Sequence, residues 1–172
     1  MRELHQGLIG DFIDAVVKDP RRANALLTEH PDLLEARWIH RETVLHFLAV
    51  EGYGQGVEFL ASHGADVNAV NEFGDPPLVD VARLGLDYIA GVLLRHGANP
   101  SAESTSQFNV LHAAVQSGNP TMVALLLAAG ADARYCTELE ESVFDAAREQ
   151  PPEACEAILA VLAEHGIVER SG

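Results

Sequence analysis

Apolar side chains recur along this chain on two rhythms. Within short stretches the spacing is helical: in TMVALLLAAG, residues Met122, Val123, Leu126 and Leu127 stand at i, i+1, i+4 and i+5, one face of an α-helix. Over longer distances the pattern returns every 33 residues. Leu45, Leu78, Leu111 and Phe144 share one register, and one more step back reaches Phe12. Leu27, Leu60, Leu93 and Leu126 form a second column; Gly52, Gly85 and Gly118 form a third, and Gly64, Gly97 and Gly130 a fourth. Four columns with one period make the chain a repeat array.

Each unit reads as helix, turn, helix and projecting loop. The segment from Thr43 to Gly52 is apolar on one side and opens on a residue able to cap a helix, as Ser142 does in the last unit. A Gly-marked turn follows, then a second amphipathic helix whose end is marked by a glycine such as Gly130, where a positive φ is expected. About ten residues rich in Asn, Asp and Gly complete the unit. One helix pair cannot bury both its faces, so stability must come from stacking on neighbouring units. Ala49, Ala82, Ala113, Ala114, Ala146 and Ala147 supply the small residues that close helix approach requires.

These motifs resemble the ankyrin repeat, whose pattern runs roughly G-x-T-P-L-H-x-A-A-x-x-G, then L-L-x-x-G-A, then D-x-N-A. Here it stands as TVLH (43–46) with HGADVNA (63–69), then PPLVDVARLG with HGANPSA, then NVLHAAVQSG with AGADARY. The resemblance covers nearly the whole chain. It implies a mainly α fold: an ankyrin-repeat solenoid of stacked antiparallel helix pairs with short β-hairpin-like loops. A single domain over residues 1–172 is expected, with units at approximately 5–38, 39–71, 72–104, 105–137 and 138–168. The outer two depart from the pattern as capping units do. His30-Pro31-Asp32 replaces the HGAD stretch of the first. Gln150-Pro151-Pro152 replaces the turn glycine of the last, where three residues are inserted if Ile158, Leu159, Leu162 and Gly166 align with Met122, Val123, Leu126 and Gly130.

Composition narrows the function. Hydrophobic residues make up 48% and charged residues 22% of the 172, ordinary globular usage. The net charge is −15, and a surface that negative repels phosphate backbones and anionic headgroups. Nucleic acid and membrane are therefore not expected as partners, and a basic protein patch is the natural counterpart. No apolar stretch before Asp11 reads as a secretory signal, and the longest apolar run, Met122 to Ala131, is far shorter than a spanning helix of about 20 residues. Two cysteines, Cys136 and Cys155, cannot build a disulfide framework, so a cytoplasmic protein is expected.

The sequence contains no H-E-x-x-H, C-x-x-C, G-x-S-x-G or P-loop motif. Gly52-Tyr-Gly54-Gln-Gly56 follows a helix rather than a strand, so it reads as an inter-helix turn and not a phosphate cradle. His46 and His112 occupy the histidine of the repeat motif, which the resemblance makes a hydrogen-bonding link between adjacent loops. His63 and His96 fall at helix C-termini, where they suit the dipole. Cys136 and Cys155 read as plain thiols. No metal, cofactor or catalytic residue is expected.

The informative residues are those the lattice leaves unexplained. The family presents its binding residues from the loop tips and from the exposed side of the first helix of each unit. Here those places hold Trp38, Asn71, Glu72, Phe73, Ser104, Phe108, Tyr135, Thr137 and Glu138 on the loops, and Glu51, Arg83 and Gln116 on the helices. Exposed aromatic side chains are common interface anchors. Packing of loop on loop is the competing reading for Trp38, Phe73, Phe108 and Tyr135. The expectation is a non-enzymatic, monomeric protein-interaction module that holds an unknown protein partner on its concave face and loop tips. The alternative is an acidic regulatory subunit or inhibitor of a basic, nucleic-acid-binding enzyme.

Overall fold

The computed structural model describes residues 6–104, 108–137 and 141–169. Among them ten α-helices follow in pairs. They are α1 (Gln6–Lys18) with α2 (Pro20–Glu29), α3 (Val44–Val50) with α4 (Gly54–Ser62), α5 (Pro77–Arg83) with α6 (Asp87–Arg95), α7 (Val110–Gln116) with α8 (Pro120–Ala128), and α9 (Val143–Arg148) with α10 (Pro152–Glu164). First helices pack on first helices from α3 to α9, second helices on second helices from α4 to α10, and each helix on its own pair-mate. The result is the expected mainly helical solenoid. At its start α1 packs against both α3 and α4, while α2 rests on α1 and on a 3-10 turn over Pro31–Leu34.

The periodic columns form the core. Phe12, Leu45, Leu78 and Leu111 are buried, as are Leu60, Leu93 and Leu126. The column members at the ends behave differently: Phe144 and Leu27 are only half-buried, and Leu33 of the 3-10 turn fills the space at the first pair. The six alanines predicted to allow close approach are all buried. Gly56 shows how close that approach is, since a Cβ there would lie 2.9 Å from a Leu48 methyl and 3.2 Å from a Val16 methyl. In the last pair Ile158 and Leu162 are buried and Gly166 has a positive φ of 72°, so the inserted residues lengthen α10 without breaking the register.

Helix starts and stops follow local chemistry. Thr43, Asn109 and Ser142, each 33 residues apart or a multiple of it, accept a hydrogen bond from the third backbone N–H of their helices. α8 ends on Gly130 (φ 92°), whose N–H donates to the Leu127 carbonyl while that of Ala131 donates to Leu126, the Schellman pattern.

The loops repeat as well. Trp38, Asn71, Ser104 and Thr137 each donate a backbone hydrogen bond, 2.7–3.1 Å long, to the carbonyl four residues on. Isolated antiparallel bridges join Arg37 to Thr43, Glu103 to Asn109 and Cys136 to Ser142. In the remaining loop Pro77 stands where Val110 donates to the Ala102 carbonyl (3.0 Å). Lacking an N–H, it cannot make that second bond.

Candidate protein-binding groove

The loops and the exposed ends of α3, α5 and α7 enclose an open groove of about 610 Å³. Its lining follows the repeat. Glu42, Asp75 and Phe108 share one register at the base of successive loops, and Val50, Arg83 and Gln116 share another at the ends of successive first helices. Asn71, Phe73, Asp80 and Leu84 complete the wall. Five residues singled out from the sequence therefore meet here: Asn71, Phe73, Arg83, Phe108 and Gln116. Glu42, Asp75 and Asp80 were not foreseen. Asp80 was legible in one respect, because its register holds Phe47, Ala113 and Ala146 in the other units, so a carboxylate there is the exception.

Polar groups in the groove are tightly organised. Asn71 is buried, and its Oδ1 accepts from the N–H groups of Phe73 (2.9 Å) and Asp75 (3.0 Å), which shapes the loop. Asp80 lies 3.0 Å from the buried His46 Nε2 and 2.8 Å from Arg83 Nη1, with Asn71 Nδ2 at 3.5 Å. Arg83 also reaches Asp75 at 3.7 Å. The buried Ser104 hydroxyl donates to the buried Asp75 carboxylate, tying two loops together. Glu42 is half-buried, and its carboxyl is held above the ordinary carboxylate value chiefly by desolvation, with repulsion from Asp80 and Glu51 opposed by the nearby His46 and His40. Apolar surface flanks these charges. Phe73 and Leu84 are each 55% exposed, far more than large apolar side chains inside the stack.

The remaining sequence candidates lie elsewhere or face inward. Trp38 is half-buried and packs on the first pair, with its ring 3.8 Å from where a Cβ on Gly10 would sit. Glu72 is exposed, but its carboxylate meets His40 Nδ1 at 2.6 Å and its N–H donates to the His40 carbonyl at 2.9 Å. His40 and Arg41 take positive φ values of 51° and 57°, a conformation that costs non-glycine residues energy. Arg37 holds that strained tip by donating to the carbonyls of Arg41 (2.9 Å) and Val70 (2.8 Å). Tyr135 packs edge-on against His112, centroids 5.6 Å apart. Thr137 is buried and its hydroxyl accepts from the Glu141 N–H at 3.1 Å. Glu51 is exposed beside the groove, and Glu138 lies outside the described residues.

The histidines of the repeat motif do tie units together. His46 reaches Asp80 of the next first helix, and His112 Nε2 sits 3.3 Å from the Glu141 carbonyl of the next loop. His63 and His96 end α4 and α6 and bond to Asn24 (2.8 Å) and Glu58 (3.0 Å) respectively. Both cysteines are free. Among the described residues no three metal-ligating side chains converge, and no helix is long and apolar enough to cross a membrane.

A family model for ankyrin repeats, three copies long, matches residues 45–137, the span that contributes almost all of the groove. The chain belongs to the ankyrin repeat family. Rat cyclin-dependent kinase 4 inhibitor B is 35% identical to this ankyrin chain over 103 residues, which are 59% of this chain and 78% of that protein. Human ankyrin repeat and SOCS box protein 6 is 43% identical over 76 residues, covering 43% of this chain and 18% of the other. A palmitoyltransferase, AKR1 of Lachancea kluyveri, is 36% identical over 90 residues, 52% of this chain but 12% of that enzyme. The chain thus spans only a small part of several of its relatives, and likeness to a repeat segment carries no catalytic activity with it. Ankyrin repeats are protein–protein interaction modules, in general without catalysis of their own.

Proposed function

We propose that this chain is a non-enzymatic binding module that holds a protein partner in the groove between its loop tips and the exposed ends of α3, α5 and α7. The observation that supports this reading most strongly is the exposed apolar surface of Phe73 and Leu84 above a hydrogen-bonded polar floor. Large exposed apolar groups beside fixed polar ones are a common mark of recognition surfaces. Binding rests on preorganisation: loops already fixed by Asn71, Ser104 and Arg37 lose little freedom when a partner docks. The five helix pairs act as one monomeric body, and the net charge of −15 favours approach by a basic partner.

Affinity capture from the native host's lysate tests the proposal. Wild type is compared with Phe73→Ala/Gln116→Ala and with a control, Glu156→Gln on α10. A partner retained by wild type and the control but lost by the groove variant supports it. A partner retained equally by all three, each folded by circular dichroism, moves recognition away from the groove.

A further inference from the structure

The groove carries more carboxylate than cation: Glu42, Asp75 and Asp80 face a single arginine, Arg83. Asp80 is saturated by His46, Asn71 and Arg83, and Asp75 by Ser104 and Arg83. Glu42 differs. Among the described residues no hydrogen bond or ion pair reaches its side chain, although it is half-buried on the groove wall. Burial disfavours its charge more than the nearby His46 and His40 favour it, and Asp80 and Glu51 add repulsion, which a cation entering the groove would relieve. Phe73 and Phe108 add ring faces, which attract cations, and Val50 and Leu84 add aliphatic surface. The resident guanidinium of Arg83 shows which headgroup this floor accepts: it lies 2.8 Å from one carboxylate and 3.7 Å from another, with its side chain still 44% exposed.

We propose that the groove recognises an extended segment of its partner in which an arginine stands beside an apolar residue, the guanidinium pairing with Glu42 and the apolar side chain covering Phe73 and Leu84. This rests on the groove being the binding surface and adds the chemistry of what fills it. Arg83 then acts as an internal competitor, since it already occupies Asp80 and part of the Asp75 field. Its removal leaves two carboxylates open to the incoming cation.

The test is a selection of displayed random peptides of about twelve residues on the immobilised full chain. The affinities of the enriched peptides are then measured against wild type, Glu42→Gln, Phe73→Ala, Arg83→Ala and Glu156→Gln. The expected winners carry an arginine next to Leu, Met or an aromatic residue. They should bind Glu42→Gln about tenfold more weakly, the size of one charge-assisted hydrogen bond. They should weaken with Phe73→Ala, tighten with Arg83→Ala and ignore Glu156→Gln. Replacing the peptide arginine by citrulline should cost as much as Glu42→Gln. Winners without a cation that still depend on Phe73 would overturn this inference and keep the groove. Winners indifferent to every groove variant would overturn both, and no enrichment above a blank support would overturn the arginine-segment proposal.

Discussion

His46 on α3 and His112 on α7 occupy the same place in the repeat, yet they are wired differently. Both are buried, and both lie three residues into a helix that caps through the same position. At α7 the cap is Asn109, whose Oδ1 accepts from the His112 backbone N–H at 2.9 Å and also lies 2.9 Å from ring Nδ1. At α3 the cap is Thr43, whose hydroxyl serves only the backbone N–H at 3.1 Å. His46 instead turns Nε2 toward the Asp80 carboxylate, and among the described residues its Nδ1 has no partner. The network therefore puts a proton on His46 Nε2, whereas both ring nitrogens of His112 face oxygen acceptors, Asn109 Oδ1 and the Glu141 carbonyl. The lesson is that the lattice fixes where a side chain sits, while its neighbours decide what it does. Where the next helix offers Ala146 the histidine is purely an internal link. Where it offers Asp80, the histidine orients a carboxylate that lines the groove.

The largest expected effect follows from the difference in caps. Asn109→Ala removes the helix cap, the ring partner of His112 and a bond to the Asp132 carbonyl (3.2 Å), and should cost about 2–3 kcal/mol in urea unfolding. Thr43→Ala removes the cap alone and should cost about 1 kcal/mol. Equal losses would break the contrast. Next in size, Asp80→Ala strands the buried His46 Nε2 without an acceptor and should cost about 1–2 kcal/mol in urea unfolding.

Acid should act on the His112 site. Burial holds the His112 imidazole below its ordinary value, and the Glu141 carbonyl only partly offsets this. The unfolded chain then binds a proton more readily than the folded one, so stability falls as pH drops below about 6.5 and the loss is complete once pH passes the folded value. Urea midpoints measured across that window should slope for wild type and flatten for His112→Gln; a slope unchanged by the substitution would contradict the assignment. The smallest effect belongs to Glu42. Its folded value is raised, so the stability linked to its protonated form is present in acid and lost as pH rises through that value. Glu42→Gln should therefore be slightly more stable than wild type at neutral pH and equal to it in strong acid.

Much of this architecture was legible from the 33-residue period alone. Repetition marks the buried leucines, the caps Thr43 and Ser142 and the helix-ending glycines because each unit must solve the same packing problem. The groove was legible only in outline. Phe73, Arg83, Phe108 and Gln116 could be placed on it by register. Whether Asn71, Ser104 and Thr137 point outward or into the loops depends on side-chain rotation, which no period encodes, and all three are buried. Glu42 and Asp75 escaped notice because they sit at the loop base rather than its tip. Their role emerges only when adjacent units bring them beside Arg83 and Phe108.

The most direct test of the central claim is site-specific photocrosslinking, with a benzophenone side chain placed at Phe73 and at Gln116 in the groove and at Glu156 on the outer helix. Irradiation with the captured partner should give adducts from the first two positions and none from the third. Adducts from position 156 with none from 73 or 116 would contradict the account.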